Sequence, residues 1–361
     1  MIVRALPVKG IQGTRPLASG LIALASLLCG CSEEPPTPEA SASTNRLEYD
    51  PVRFEEGLIA VETWIQDGRP DKADMIARRL VDLNPESLDA LEAHARCLSI
   101  LAAMAKREGR NDGEAQRTEA LQRYRELIEQ SGSRPIAMHL HAAGLAAQAA
   151  GALDEALDYH VRANEIEPDN AQHAIFAGNI HAGRDETESA RAWFSRATEI
   201  DPREPWGWAG LAEAHRQSGA TEMALASIRS ARSRSPGNNG FRVAEARILR
   251  ESDRGREAAQ LLFAIDPDQR ATRVITAELC AACAQIGEHR RAAQAWSALH
   301  ARSPEDHMAA TSAARAWISA GEPGEAATWL EAAEAAGADP DELESIRRSL
   351  SRPEQPPAQP R

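Results

Sequence analysis

Cys280 and Cys283 bracket two alanines, and this pair of thiols is the most reactive-looking constellation in the 361-residue chain. On a helix, residues three apart share a face, so the pair reads as a redox dithiol or as half of a zinc site. Its surroundings offer a third reading. Ala284 stands where covalent haem attachment needs a histidine, no second pair of cysteines has this spacing, and His289 alone leaves a zinc site one ligand short. No strand leads into the motif, as a thioredoxin-like site requires, so small thiols packed between helices are the plainer account. Cys97 stands alone and reads as buried.

The ten histidines are scattered, and His139 and His141, two apart, point in different directions on a helix. Acidic pairs such as Asp154-Glu155 and Asp185-Glu186 recur where helices should begin, and there they complement the positive end of the helix dipole. No phosphate-cradling glycine loop, nucleophile elbow or paired-histidine zinc-protease motif occurs. The chain therefore carries no catalytic, metal or cofactor signature. A formal net charge of −13 argues against a general nucleic-acid binder.

The elements that must position these residues announce themselves by a period. Ala156, Ala190 and Ala224 are 34 residues apart, as are Ala163, Ala197 and Ala231, and Pro168, Pro202 and Pro236. Each copy reads as a helix, a short turn, a second helix, then an acidic residue and a proline that cannot continue it. Gly144, Gly178 and Ala212 allow close approach of the first helix, and the repeated alanine marks the crossing. Gly151 and Gly219 end first helices in the left-handed conformation that only glycine adopts freely. The alanine series runs on through Ala258, Ala292 and Ala326. A chain 43% apolar but only 4% aromatic fits close-packed helices of this kind.

This pattern resembles the tetratricopeptide repeat (TPR), over residues 51–338. The resemblance implies an all-α, right-handed solenoid of about eight helix-turn-helix repeats, closed by a capping helix at 339–351. The second repeat is extended, over about 88–134, with a first helix from Leu88 to Lys106, a polar break, and a second helix from Glu114 to Gln130. The sixth repeat exits early, at Asp266-Pro267.

The first fifty residues belong to no repeat. Arg4, Lys9 and Arg15 precede the apolar run Leu17 to Leu28 and then Cys29-Gly30-Cys31, the layout of a secretory signal. Leu28-Cys29-Gly30-Cys31 resembles a bacterial lipobox, which implies removal of residues 1–30 and lipidation of Cys31. Ser32, in place of the aspartate of an inner-membrane retention signal, favours the outer membrane, facing the periplasm. Residues 31–50, rich in proline, serine and glutamate, read as a disordered tether, and 352–361 as a disordered tail.

In TPR arrays the exposed side of the first helices lines a groove that holds peptide segments. Carried over by register, that face comprises His141, Gln148, Gln172, Asn179, Trp206, Glu213, Arg216, Arg247, Arg250 and Arg315. Of the lysine and asparagine clamp that some cytosolic members use for a terminal carboxylate, only Asn179 is matched. Arg216 and Arg250 are 34 apart, and Arg247 and Arg315 are 68 apart, so each pair shares a register. Such a ladder suits an acidic partner segment, unless Glu213 and Glu251 neutralise it from within. The expectation is a lipid-anchored scaffold or assembly factor that binds proteins in the bacterial envelope and is not an enzyme. The alternative is a thiol-dependent redox or metal protein using Cys280 and Cys283.

Overall fold

The computed structural model of this protein describes residues 50–111, 113–132 and 135–351. The expected signal peptide, Cys31, nearly all of the tether and the tail of 352–361 lie outside the described residues. The described chain forms α-helices joined by short turns, and no strand occurs among the described residues. It divides into two compact units, Met1–Tyr159 and His160–Arg361, with the boundary inside α6 (Leu153–Ile166).

The first unit contains α1 (Pro51–Gln66), α2 (Pro70–Leu83), α3 (Leu88–Glu108), α4 (Gly113–Gln130) and α5 (Ala137–Ala150). Each of these packs on the next. Helix α3 is the long one, and it stops at Gly109, whose left-handed backbone (φ 69°) turns the chain back into α4.

The second unit follows the regular pattern. It contains α7 (Ala171–Gly183), α8 (Thr187–Ile200), α9 (Pro205–Gln217), α10 (Thr221–Arg234), α11 (Asn239–Glu251) and α12 (Gly255–Phe263). A single turn, α13 (Pro267–Arg270), comes next, where the second helix is cut short. The unit then continues with α14 (Arg273–Gln285), α15 (His289–Arg302), α16 (His307–Ser319), α17 (Pro323–Ala335) and α18 (Pro340–Leu350). First helices start on side-chain caps: Asn170, Glu204, Asn238, Thr272 and Asp306 each accept a backbone N–H from the turn that follows. Helix α18 covers the last pair, burying Leu343 and Ile346 against α16 and α17.

Helix crossings admit only small side chains. Ala156, Ala190, Ala224, Ala258 and Ala326 are 0% exposed and Ala292 3%. The tightest contact surrounds Phe194 on α8. A Cβ added to Gly178 on α7 would lie 2.8 Å from its ring, and one added to Gly210 on α9 only 2.2 Å away. The phenyl ring is thus clamped between two first helices that each give up a side chain to admit it.

The Gly210 contact yields a sign test. In an open helical position, replacing glycine by alanine gains about 0.5–1 kcal/mol. Gly183 is such a position, with no atom within 4 Å of its added Cβ, so Gly183→Ala should stabilise. Gly210→Ala forces a methyl group into a rigid ring, and overpacking of this kind costs about 1–3 kcal/mol. Urea unfolding midpoints should move in opposite directions for the same substitution.

Candidate functional site

The two thiols sit on α14, inside the helix pair rather than in a cleft. Cys280 is 8% exposed and Cys283 0%, and both are free. The Cys280 thiol donates to the Ala292 carbonyl on α15 at 3.3 Å. Burial holds both thiols protonated: Cys283 is pushed up to about 11, and Cys280 further, with the neighbouring Cys283 adding to the shift. Cys97 on α3 is equally buried, and is pushed up to about 12. A redox or metal-binding cysteine needs the thiolate at neutral pH, and these environments disfavour it. The pair fills the helix crossing.

The groove residues fall in both units. His141 and Gln148 lie half-buried on α5 of the first. The other eight lie on first helices of the second. Gln172 on α7 donates its side-chain amide to Glu204 at 3.3 Å, and Asn179 lies half-buried on the same helix. Trp206 at the start of α9 is 51% exposed, with its ring edge-on to Phe241 at a centroid distance of 5.1 Å.

The arginine ladder is engaged from within. Arg216 meets Glu213 through two N–H donors at 2.7 and 2.9 Å and reaches Glu251 at 3.0 Å. That fork holds the Glu213 carboxyl below its ordinary value despite partial burial. Arg250 donates to Glu278 on α14 at 2.7 Å, and Arg247 approaches the same carboxylate at 3.6 Å. Arg315 pairs with Glu342 on α18 at 3.0 Å. All four arginines thus already hold carboxylates, and an acidic partner segment would have to displace Glu213, Glu251, Glu278 or Glu342.

Two buried carboxylates escaped the sequence reading. Glu278, 8% exposed, joins α11 to α14. Glu245, 3% exposed, accepts from Arg229 at 2.8 Å and approaches Arg232 at 3.1 Å, both on α10. Glu245 did leave a signal. It occupies the register of Leu211 and Leu279, 34 residues to either side, where an apolar residue is the rule. The histidines are also less scattered than their spacing suggests. Within the second unit His160 and His173 are buried, with a ring nitrogen of each within 4.8 Å of the other, and His160 stacks on Phe176 at 5.1 Å. Glu167 lies 3.3 Å from the Nε2 of His173. Two imidazoles supply half of a tetrahedral set.

No protein-family model matches the chain, and no curated protein matches its sequence. Solved structures do match it. A tetratricopeptide repeat protein from Parabacteroides merdae ATCC 43184 aligns over 83% of this chain and 99% of its own, with a TM-score of 0.51 at 13% identity. Yeast Tom70 aligns over 87% of this chain and 66% of its own, with a TM-score of 0.54 at 14% identity. The chain has the fold of tetratricopeptide repeat proteins. Identities this low carry the fold and nothing about partners.

Two tests separate structure from chemistry at these residues. The free thiols should stay inert to a chromogenic disulfide reagent at pH 8 until the protein is unfolded. Unfolding returns each thiol to its ordinary value of 9.0, so the folded state retains protons that the unfolded state releases above that pH. Stability contributed this way is full below pH 9 and is lost as pH rises toward 11, and Cys283→Ala should lose less over that window. Arg247→Ala with Arg250→Ala strands the Glu278 carboxylate, whose side chain is 9% exposed, and should cost about 1–3 kcal/mol. Arg315→Ala breaks a pair whose arginine is 58% exposed and should cost about 0.2–1 kcal/mol. Equal losses in calorimetry would remove the structural role assigned to Glu278.

Proposed function

We propose that this protein is a lipid-anchored scaffold of the bacterial envelope that holds segments of partner proteins against its first helices. The observation that carries the reading is a repeat fold whose first helices still expose large apolar side chains after the core is packed, Trp206, Val274 and Met308 among them. The buried, protonated state of the thiols weighs against the redox or metal-binding alternative. Leu28-Cys29-Gly30-Cys31 supports the anchor, because several acyl chains on one cysteine hold a protein stably on a bilayer. The arginines of the groove serve the fold, so the reading no longer requires an acidic partner.

Two measurements test the proposal. Intact-mass analysis of the native protein should give a mature N-terminus at Cys31 carrying acyl mass, and Cys31→Ala should leave it unprocessed or release it from membranes. A native N-terminus elsewhere, without acyl mass, refutes the anchor. A photo-crosslinking residue introduced in cells at Asn179 or Trp206 should capture discrete partner bands that are missing when it replaces Glu325 on α17. No discrete band from any first-helix position refutes the scaffold.

A further inference from the structure

Among the described residues of the second unit, three of the five exposed large apolar side chains share one register, Ile166 and Met223 standing apart. Trp206, Val274 and Met308 each occupy the second position of a first helix, α9, α14 and α16, and are 51%, 63% and 48% exposed. On α11 the same position is Gly240. The Trp206 indole leans across onto Phe241, which is 3% exposed. One edge of the indole is therefore fixed against the core while about half of it faces solvent. Large rings left this way mark places where another chain removes water.

The charge beside the indole says which kind of chain. Glu204 caps α9 by accepting the Trp206 N–H at 3.2 Å. With Glu167, Asp169, Asp201 and Gln172 it also lines an open concavity of about 530 Å3 between the starts of α7 and α9. Among the described residues no lysine or arginine lines that concavity. Among the described residues Asp169, Asp201 and Glu204 pair with no arginine or lysine, whereas the arginines further along the first helices are held by carboxylates of their own chain. This end of the apolar row thus combines a half-exposed indole with uncompensated negative charge. A segment bearing acidic residues would meet like charge here, and so would an anionic bilayer.

We infer that this surface receives an extended segment of a partner protein in which an apolar side chain is flanked by lysine or arginine. The apolar side chain covers the Trp206 indole, and the cation enters the carboxylate-lined concavity. The inference rests on the scaffold reading and specifies the chemistry of its partner. Apolar contact supplies most of the affinity, and the carboxylates supply orientation, on-rate and salt dependence.

The test uses the full-length protein and three fluorescein-labelled nonapeptides, read by fluorescence anisotropy. They alternate lysine with leucine, glutamate with leucine, and lysine with serine. The lysine–leucine peptide should bind at least ten-fold more tightly than either of the others. Trp206→Ala should weaken it at least ten-fold. The double variant Asp169→Asn with Asp201→Asn should weaken it at least five-fold at low salt and less at high salt. Asparagine keeps an amide oxygen to accept the Arg203 N–H that Asp201 holds at 2.9 Å, so this variant should melt like the parent and guards against misfolding of the tryptophan variant. Glu325→Gln on α17, equal in charge to either single aspartate change, should leave binding unaltered. Equal binding of the glutamate–leucine peptide overturns the inference. So does an equal loss from Glu325→Gln, which would mark diffuse attraction to an acidic protein. Partner crosslinks that persist from Asn179 while peptide binding ignores Trp206→Ala would remove this site and leave the scaffold standing.

Discussion

The fold depends on how closely two helices of a pair can approach. At the crossings the space between backbones is filled by an alanine that is almost wholly buried, where a larger side chain would overpack. The same economy recurs within and between pairs, where Gly178 on α7 and Gly210 on α9 yield to the ring of Phe194 on α8. Close approach fixes the pitch at which first helices of the second unit succeed one another. Residues 34 apart in the chain then fall into rows, and the surface is written in rows as a consequence.

The polar residues that hold neighbouring pairs together obey a second constraint. A carboxylate removed from water must be paired, and Glu245 and Glu278 each draw two arginines from an adjacent helix. These ion pairs make arginines that look like ligand-binding groups into parts of the framework. They also leave the surface charge uneven. Positive charge along the first helices is cancelled locally, while among the described residues Asp169, Asp201 and Glu204, at the starts of α7 and α9, pair with no arginine or lysine. The thiols tell a parallel story, since a site deep enough to pack a cysteine well is too dry to ionise it.

These features support the binding role proposed for the protein. The buried histidines, thiols and carboxylates of the second unit lie within helix contacts, whereas an apolar row with an acidic end faces solvent. A surface of this kind recognises by shape, water exclusion and charge.

The period, the helix pairing and the early exit of α12 at Asp266-Pro267 could be read from the chain alone, because each follows from local rules. Small residues must stand at crossings, glycine or a capped turn must end a helix, and proline must break one. The sequence also favoured packing of Cys280 and Cys283 against a neighbouring helix, with a redox or metal role as the alternative, and only their burial in the structure weighs between the two. Register placed Trp206, Arg216 and Arg250 on first helices as well. What register could not state was which charge meets which. Arg216 can swing toward Glu213 three residues away, toward Glu251 on the next first helix, or outward to a partner, and a long flexible side chain reaches all three. Only positions in space bring Glu251 within 3.0 Å of Arg216 and Glu278 within 2.7 Å of Arg250. The approach of His160 to His173 and the concavity under Glu204 are of the same kind, since they arise where separate helices converge. Backbone periodicity is a property of neighbours in the chain, whereas side-chain pairing at about 3 Å is decided by neighbours in space.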